Sequence, residues 1–361
     1  MLFPYTYVPH QMEKMQAFID FIFYKIWCKA PGGGDFRLDL FDGDAELKEV
    51  MSAFYYGDTQ GGDFFYGHVE RIYSLFAALS QAQIDQFKQW YQANNDIEKV
   101  CANDPTVHIA RYADIQTDHP ELSKQLASFF KGLYSLQLLN LAALREKIGD
   151  IEDHYRAFVE VNSTGKCPFC GITDMLGIYH SKREAYDHYL PKGLYPFNSI
   201  NFRNLAPACH HCNSSYKTTN DPTYTPKDPA GEIHRRKAFY PYATPGHPIE
   251  ITIGLGTPDI DRLTPDDIQL TFGPATVNEE IETWKEVYDI DERYKAKCCS
   301  SDAKDWLEQI RIFRDTHSIA PAASLATLQQ QADKNPLANS NFLKISFLEG
   351  CQQAGLLAVI T

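Results

Sequence analysis

Apolar side chains recur every three or four positions through residues 11–29 (QMEKMQAFIDFIFYKIWCK), the spacing of a helix with one buried face. Three glycines in APGGGDF (30–36) end that element. Residues 35–66 mix Asp, Gly, Phe and Tyr without a period, which predicts loops and short helices. The helical period returns near 67–79, 81–102, 120–132 and 134–161, most clearly in the last (YSLQLLNLAALREKIGDIEDHYRAFVEV). Residues 167–220 are irregular and dense in motifs. Beyond them, IEITIGL (249–255) and IQLTFG (268–273) alternate apolar with polar and predict two strands. Helical spacing follows at 279–297, 301–315, 322–333 and 340–355. The expected organisation is α+β: a mostly helical domain over 1–160, a motif-bearing segment over 161–240, and a β-hairpin with helices over 241–361. The aromatic residues of the first helix (Phe18, Phe21, Phe23, Tyr24, Trp27) read as core rather than as a base-stacking platform.

Composition adds bounds. Hydrophobic residues are 44% and charged residues 22% of 361, an ordinary globular balance. No run of about 18 apolar residues suggests a membrane span, and the first residues lack a basic start and apolar core, so a cytoplasmic protein is expected. The formal net charge of -13 argues against a general electrostatic sponge for nucleic acid. That charge is uneven. Residues 1–166 carry 15 Lys/Arg against 23 Asp/Glu, whereas Cys167–Lys217 carries five against three. The middle of the chain is an electropositive island in an acidic protein.

The island also holds the chemistry. Cys167/Cys170 and Cys209/Cys212 form two CxxC pairs separated by 38 residues. Four thiolates at about 2.3 Å suit tetrahedral zinc, and a closed four-cysteine site is structural, leaving no position for substrate. Cys28, Cys101, Cys298, Cys299 and Cys351 have no ligand spacing and read as reduced, mostly buried residues. His210 and His211 lie inside a knuckle already supplied with cysteines and are expected at the surface or at a phosphate, with zinc ligation as the alternative. His180 reads as structural.

Between the knuckles runs YDHYLPKGLYPFNSINFRNLAP (186–207), and CHHCNSSYK (209–217) comes next. The order Asp187-His188, Pro191-Lys192, Asn204, then Cys-x-x-Cys-Asn213 and a lysine resembles the HNH, or ββα-metal, nucleases. Within them it resembles the subgroup stapled by two CxxC knuckles, such as phage Holliday-junction resolvases and bacterial HNH proteins encoded with antiphage defence genes. A downstream helix with Trp284, Tyr288, Ile290, Arg293 and Tyr294 fits the latter. The resemblance covers about 167–315. It implies an endonuclease with a structural zinc on the four cysteines. It also implies that Asn204 braces the loop carrying His188 and is not a ligand.

The residue types suit that chemistry. Phosphodiester hydrolysis needs an activated water and neutralisation of charge on the phosphate. His188 is suited to act as general base, and Asp187 and Asn213 offer hard oxygens to one catalytic Mg²⁺ or Mn²⁺. Lys192, Arg203 and Lys217 are candidate phosphate contacts, although Lys217 lies one residue further from Asn213 than in the commonest Asn-x-x-Lys. The expected activity is cleavage of DNA before RNA, in an antiphage defence setting. Alternatives are an RNase of the same chemistry, such as a tRNA-cutting effector, a nuclease subunit switched by a partner such as a co-encoded ATPase, and a non-catalytic zinc-stabilised binding module. Oligomeric state stays open.

Overall fold

Asp44, Thr59, Ser80 and Asp150 each accept a backbone N–H from two or three residues further on with their side chains. Each thereby satisfies one of the orphan donors at a helix start. They open the helices Ala45–Tyr56, Gln60–Phe76, Gln81–Asn95 and Ile151–Val161. The computed structural model describes residues 1–358, Leu136 by its backbone alone.

Residues 35–66, expected to hold loops and short helices, hold a short 3-10 turn at Leu38–Phe41, the twelve-residue helix Ala45–Tyr56 and the start of another. The helix expected over 81–102 breaks at Asp96, which caps the short Ile97–Cys101. The one expected over 134–161 is three pieces, Leu136–Leu139, Ala142–Ile148 and Ile151–Val161. Gly149 takes φ +80 at the second break, and Asp150 caps the third piece. The Gly-Asp pair was the sequence sign of that break. Residues 11–29 are helical throughout but change pitch, with an α segment Lys14–Phe21 and a wide π turn Ile22–Ile26.

Two small antiparallel sheets complete the α+β architecture. Strand β1 (Ala185–His188) pairs with β2 (Leu205–Ala208), placing Asp187 opposite Ala206 and His188 opposite Leu205. The expected hairpin is β3 (Glu250–Leu255) against β4 (Ile268–Gly273). The helix Asn341–Gln353 crosses β3 closely. A Cβ on Gly350 would lie 2.4 Å from the Ile253 carbonyl oxygen, so only glycine permits this approach.

Two apolar cores form, and the β1–β2 hairpin sits between them. Tyr186, Phe197, Ile200, Phe202 and Leu205 join the core of the N-terminal helices. Ala206, Ala208 and the four paired cysteines join the core built with β3, β4 and the C-terminal helices. Residues at the chain's start strap onto the second core: Leu2 N–H donates to Pro168 O (2.9 Å) and Tyr5 OH to Pro207 O (2.9 Å). No helix among the described residues is long and apolar enough to cross a membrane.

Candidate metal centre and adjoining hairpin

The two knuckles converge. The sulfurs of Cys167, Cys170, Cys209 and Cys212 lie within 4.8 Å of one another, and all four residues are buried. Cys209 comes directly after β2. The first knuckle is closed by Gly171 N–H donating to Cys167 O (2.7 Å), with Gly171 at φ +70. Cys212 N–H donates to Cys209 Sγ (3.5 Å). Burial pushes the Cys167 and Cys212 thiols well above their usual range, because a buried thiolate without a cation is costly, while hydrogen bonds from the neighbouring sulfurs lower Cys170 and Cys209. A metal cation removes that cost, so the cluster fits a tetrahedral thiolate-bound ion.

The helices Asn278–Tyr288 and Ile290–Cys298 clamp this centre with the aromatic and basic residues singled out in the sequence. Trp284 Nε1 donates to Phe169 O (2.6 Å), Tyr294 OH to Cys170 O (2.9 Å), and Tyr288 stacks on Phe169 with centroids 5.0 Å apart. Arg293 Nη1 donates to Cys212 Sγ (3.2 Å), and its guanidinium lies 4.5 Å from the Tyr216 ring centroid. A tetrathiolate centre on a divalent ion is anionic, and Arg293 supplies a buried counter-charge. Nothing in the spacing of Arg293 pointed to that contact. His210 and His211 are exposed.

After Cys209 the chain winds into a single wide turn, His211–Lys217, with Thr218 N–H donating to Asn213 O (3.1 Å) across five residues. This π turn absorbs the extra residue between Asn213 and Lys217. Lys217, expected at a substrate phosphate, is instead fully buried. Its ammonium donates to Asp187 Oδ1 (3.0 Å) and to His188 O (2.9 Å). Burial raises the Asp187 carboxyl, with Lys217 acting in the opposite direction. Asp187 Oδ2 is buried and has no hydrogen-bond partner among the described residues.

Successive strand residues face opposite ways, and β1 obeys this. Asp187 faces Lys217 and the knuckle side. His188 faces the N-terminal helices, its ring edge-on to Tyr134 with centroids 4.8 Å apart. The expected metal ligand and the expected base thus leave β1 on opposite sides. His188 Nε2 lies 2.9 Å from the Ser199 carbonyl oxygen. That nitrogen donates in the neutral ring, leaving the lone pair on Nδ1. Burial, with the charges of Lys192 and Lys217, lowers the His188 pKa to about 3, so the ring is neutral at pH 7.

Asn204, immediately before β2, is fully buried. It accepts from Leu190 N–H (2.7 Å) and donates to Leu190 O (3.0 Å) and Asn198 O (3.3 Å), closing the loop after His188. Lys192 lies 5.7 Å from the Tyr134 ring centroid, on the His188 face. Arg203 is elsewhere, 4.2 Å from the Tyr7 ring centroid, beside a cavity of about 480 Å³ lined by Asp20, Tyr91 and Tyr240. Asn213 is partly exposed and anchored through its backbone. Among the described residues the only other cluster of His, Cys, Asp or Glu able to share an ion is the exposed Asp228, Glu232 and His234, and Asp187 joins neither group. The chain matches no family model, no curated protein and no solved structure.

Proposed function

We propose that this protein is an HNH-type endonuclease that hydrolyses phosphodiester bonds of DNA, with the four-cysteine centre holding a structural zinc. One observation carries the reading. A two-stranded hairpin runs straight into a cysteine knuckle and a helical turn, and Lys217 on that turn bonds Asp187 and the His188 carbonyl. The Asp-His strand and the Cys-x-x-Cys-Asn turn, 20 residues apart in the chain, thus form one tied unit.

Within it, His188 serves as the base. Its Nε2 is held by the Ser199 carbonyl, which leaves Nδ1 as the nitrogen that would take a proton from water; the burial that lowers its pKa to about 3 weakens that basicity in the unliganded protein. Asn204 fixes the loop that supplies this geometry. Asp187 Oδ2, buried and unpaired, and the Asn213 side chain are the groups that would hold a divalent cation such as Mg²⁺ or Mn²⁺. Such an ion would supply charge neutralisation at the phosphate, and because Asp187 and His188 face opposite sides of β1 the substrate would have to reach both sides of the strand. Lys217 already takes Oδ1, so the carboxylate has one oxygen to offer.

A second reading has its own support. Because Lys217 neutralises Asp187 and β1 turns His188 to the opposite face, the hairpin also suits a non-catalytic, zinc-stabilised binding module. Incubating the metal-loaded protein with supercoiled plasmid, single-stranded DNA and total tRNA separates the cases. DNA products with 5′-phosphate and 3′-hydroxyl ends are expected. Cleavage of tRNA alone would make it an RNase of the same chemistry, and no cleavage of any substrate would favour the binding module.

A further inference from the structure

The chain between the first knuckle and β1 projects a pinned turn, residues 177–183. Gly177 N–H donates to His180 Nδ1 (3.0 Å), and His180 N–H donates back to Gly177 O (3.0 Å). Its base is tied by Tyr155 OH to Leu176 O (2.6 Å), Leu176 N–H to Glu184 Oε1 (3.2 Å) and Arg183 Nε to Glu152 Oε1 (2.8 Å). At the tip Ile178 is 52% exposed and Tyr179 is 95% exposed. A pinned turn whose tip is an aromatic ring without an aromatic partner among the described residues leaves that ring available for an external one.

The charges around it favour an anion. Lys182 is exposed and forms no salt bridge among the described residues, whereas the nearby acids are engaged: Glu152 by Arg183, Glu184 by Leu176 N–H, and Asp174 by Lys166 (2.6 Å). The other exposed aromatic pair, Tyr55 and Tyr56, packs edge-to-face on itself and lies just before Asp58. The base of the turn, at Arg183, adjoins the side of β1 that carries His188. Arg183 lies 5.9 Å from the Tyr186 ring centroid, and Tyr186 shares its side of β1 with His188, where Lys192 adds a further cation.

We propose that Tyr179 is a base-stacking element of this site, that Lys182 takes an adjoining phosphate, and that the substrate is a nucleic acid with an unpaired base near the scissile bond. The proposal rests on the nuclease reading above. A duplex interior offers no open base face, because each base is stacked on both sides; an unpaired base does offer one, and any base will serve.

The test is fluorescence anisotropy with a labelled single-stranded oligonucleotide and its matched blunt duplex, using the full zinc-loaded chain in the His188→Ala background. Tighter binding of the single strand is expected. Tyr179→Ala should weaken it about ten- to a hundredfold, while Tyr179→Phe retains it and the duplex affinity stays unchanged. Lys182→Gln should reduce the slope of log affinity against log salt by about 0.7. Unchanged affinity in Tyr179→Ala, equal loss on the duplex, equal loss in Tyr179→Phe, or no binding of either oligonucleotide would overturn the proposal. Tyr179-dependent binding by a protein whose wild type cuts nothing would sink the nuclease reading and keep the stacking element. Cleavage by wild type with Tyr179-independent binding would do the reverse.

Discussion

Replacing Lys217 by methionine isolates the buried pair that joins β1 to the turn after the second knuckle. The ammonium is 3.0 Å from Asp187 Oδ1, and both side chains are shielded from water. At an effective dielectric of about 20, charges that close attract by roughly 5 kcal/mol. Desolvation offsets much of that attraction when the pair forms, but removing one partner leaves the other buried and uncompensated. The expected loss for Lys217→Met is therefore about 3–5 kcal/mol, a large share of a typical domain's stability. Asp187→Asn should cost less, because the amide oxygen still accepts from Lys217. The double variant Asp187→Asn/Lys217→Met should recover most of the loss, since neither charge remains. The assay is urea unfolding of the zinc-loaded protein at pH 7, read as a double-mutant cycle with zinc content measured for each variant. A Lys217→Met loss below about 1 kcal/mol, or losses that simply add in the double variant, would refute the buried-pair account.

Other contacts carry their own expected outcomes. Arg293→Gln should weaken zinc retention about ten- to a hundredfold in competition with a chromogenic chelator, because Cys212 loses its cationic partner. Gly350→Ala should cost about 1–3 kcal/mol by thermal unfolding, since its methyl would press on the Ile253 carbonyl. His154, buried against Tyr186 and Phe202, has its pKa lowered to about 4, first by burial and then by His10. The unfolded chain therefore binds more protons below pH 6.5, and His154 alone should contribute a fall in stability of up to about 3 kcal/mol by pH 4, alongside His68 and His188, whose pKa values are also lowered. His154→Gln should flatten that part of the stability profile.

The four-cysteine centre was legible in the sequence because thiol chemistry restricts the spacing of its ligands. The β3–β4 hairpin and the C-terminal helices were legible because their periods are long enough to count, except that the single helix expected over 279–297 is broken at Asp289, which takes φ +47. Other features were not. Strands of four residues such as β1 and β2 carry too little alternation to announce themselves. The break at Asp96 was hidden inside a continuous apolar period, although its capping side chain was there to read. The role of Lys217 could not be read from spacing, because a π turn changes which face a residue occupies. The contact of Arg293 with Cys212 joins positions 81 residues apart, which no local pattern encodes. The opposite facing of Asp187 and His188 follows from strand geometry once β1 is known, and not before.

The central claim is that His188 is the base of a phosphodiesterase built on the zinc-stapled hairpin. Its most direct test is the single-turnover cleavage rate of plasmid or single-stranded DNA with Mg²⁺, wild type against His188→Ala, with zinc content measured in both. A rate lowered by about a hundredfold or more at unchanged zinc content is the predicted result. Equal rates in the two proteins would contradict it.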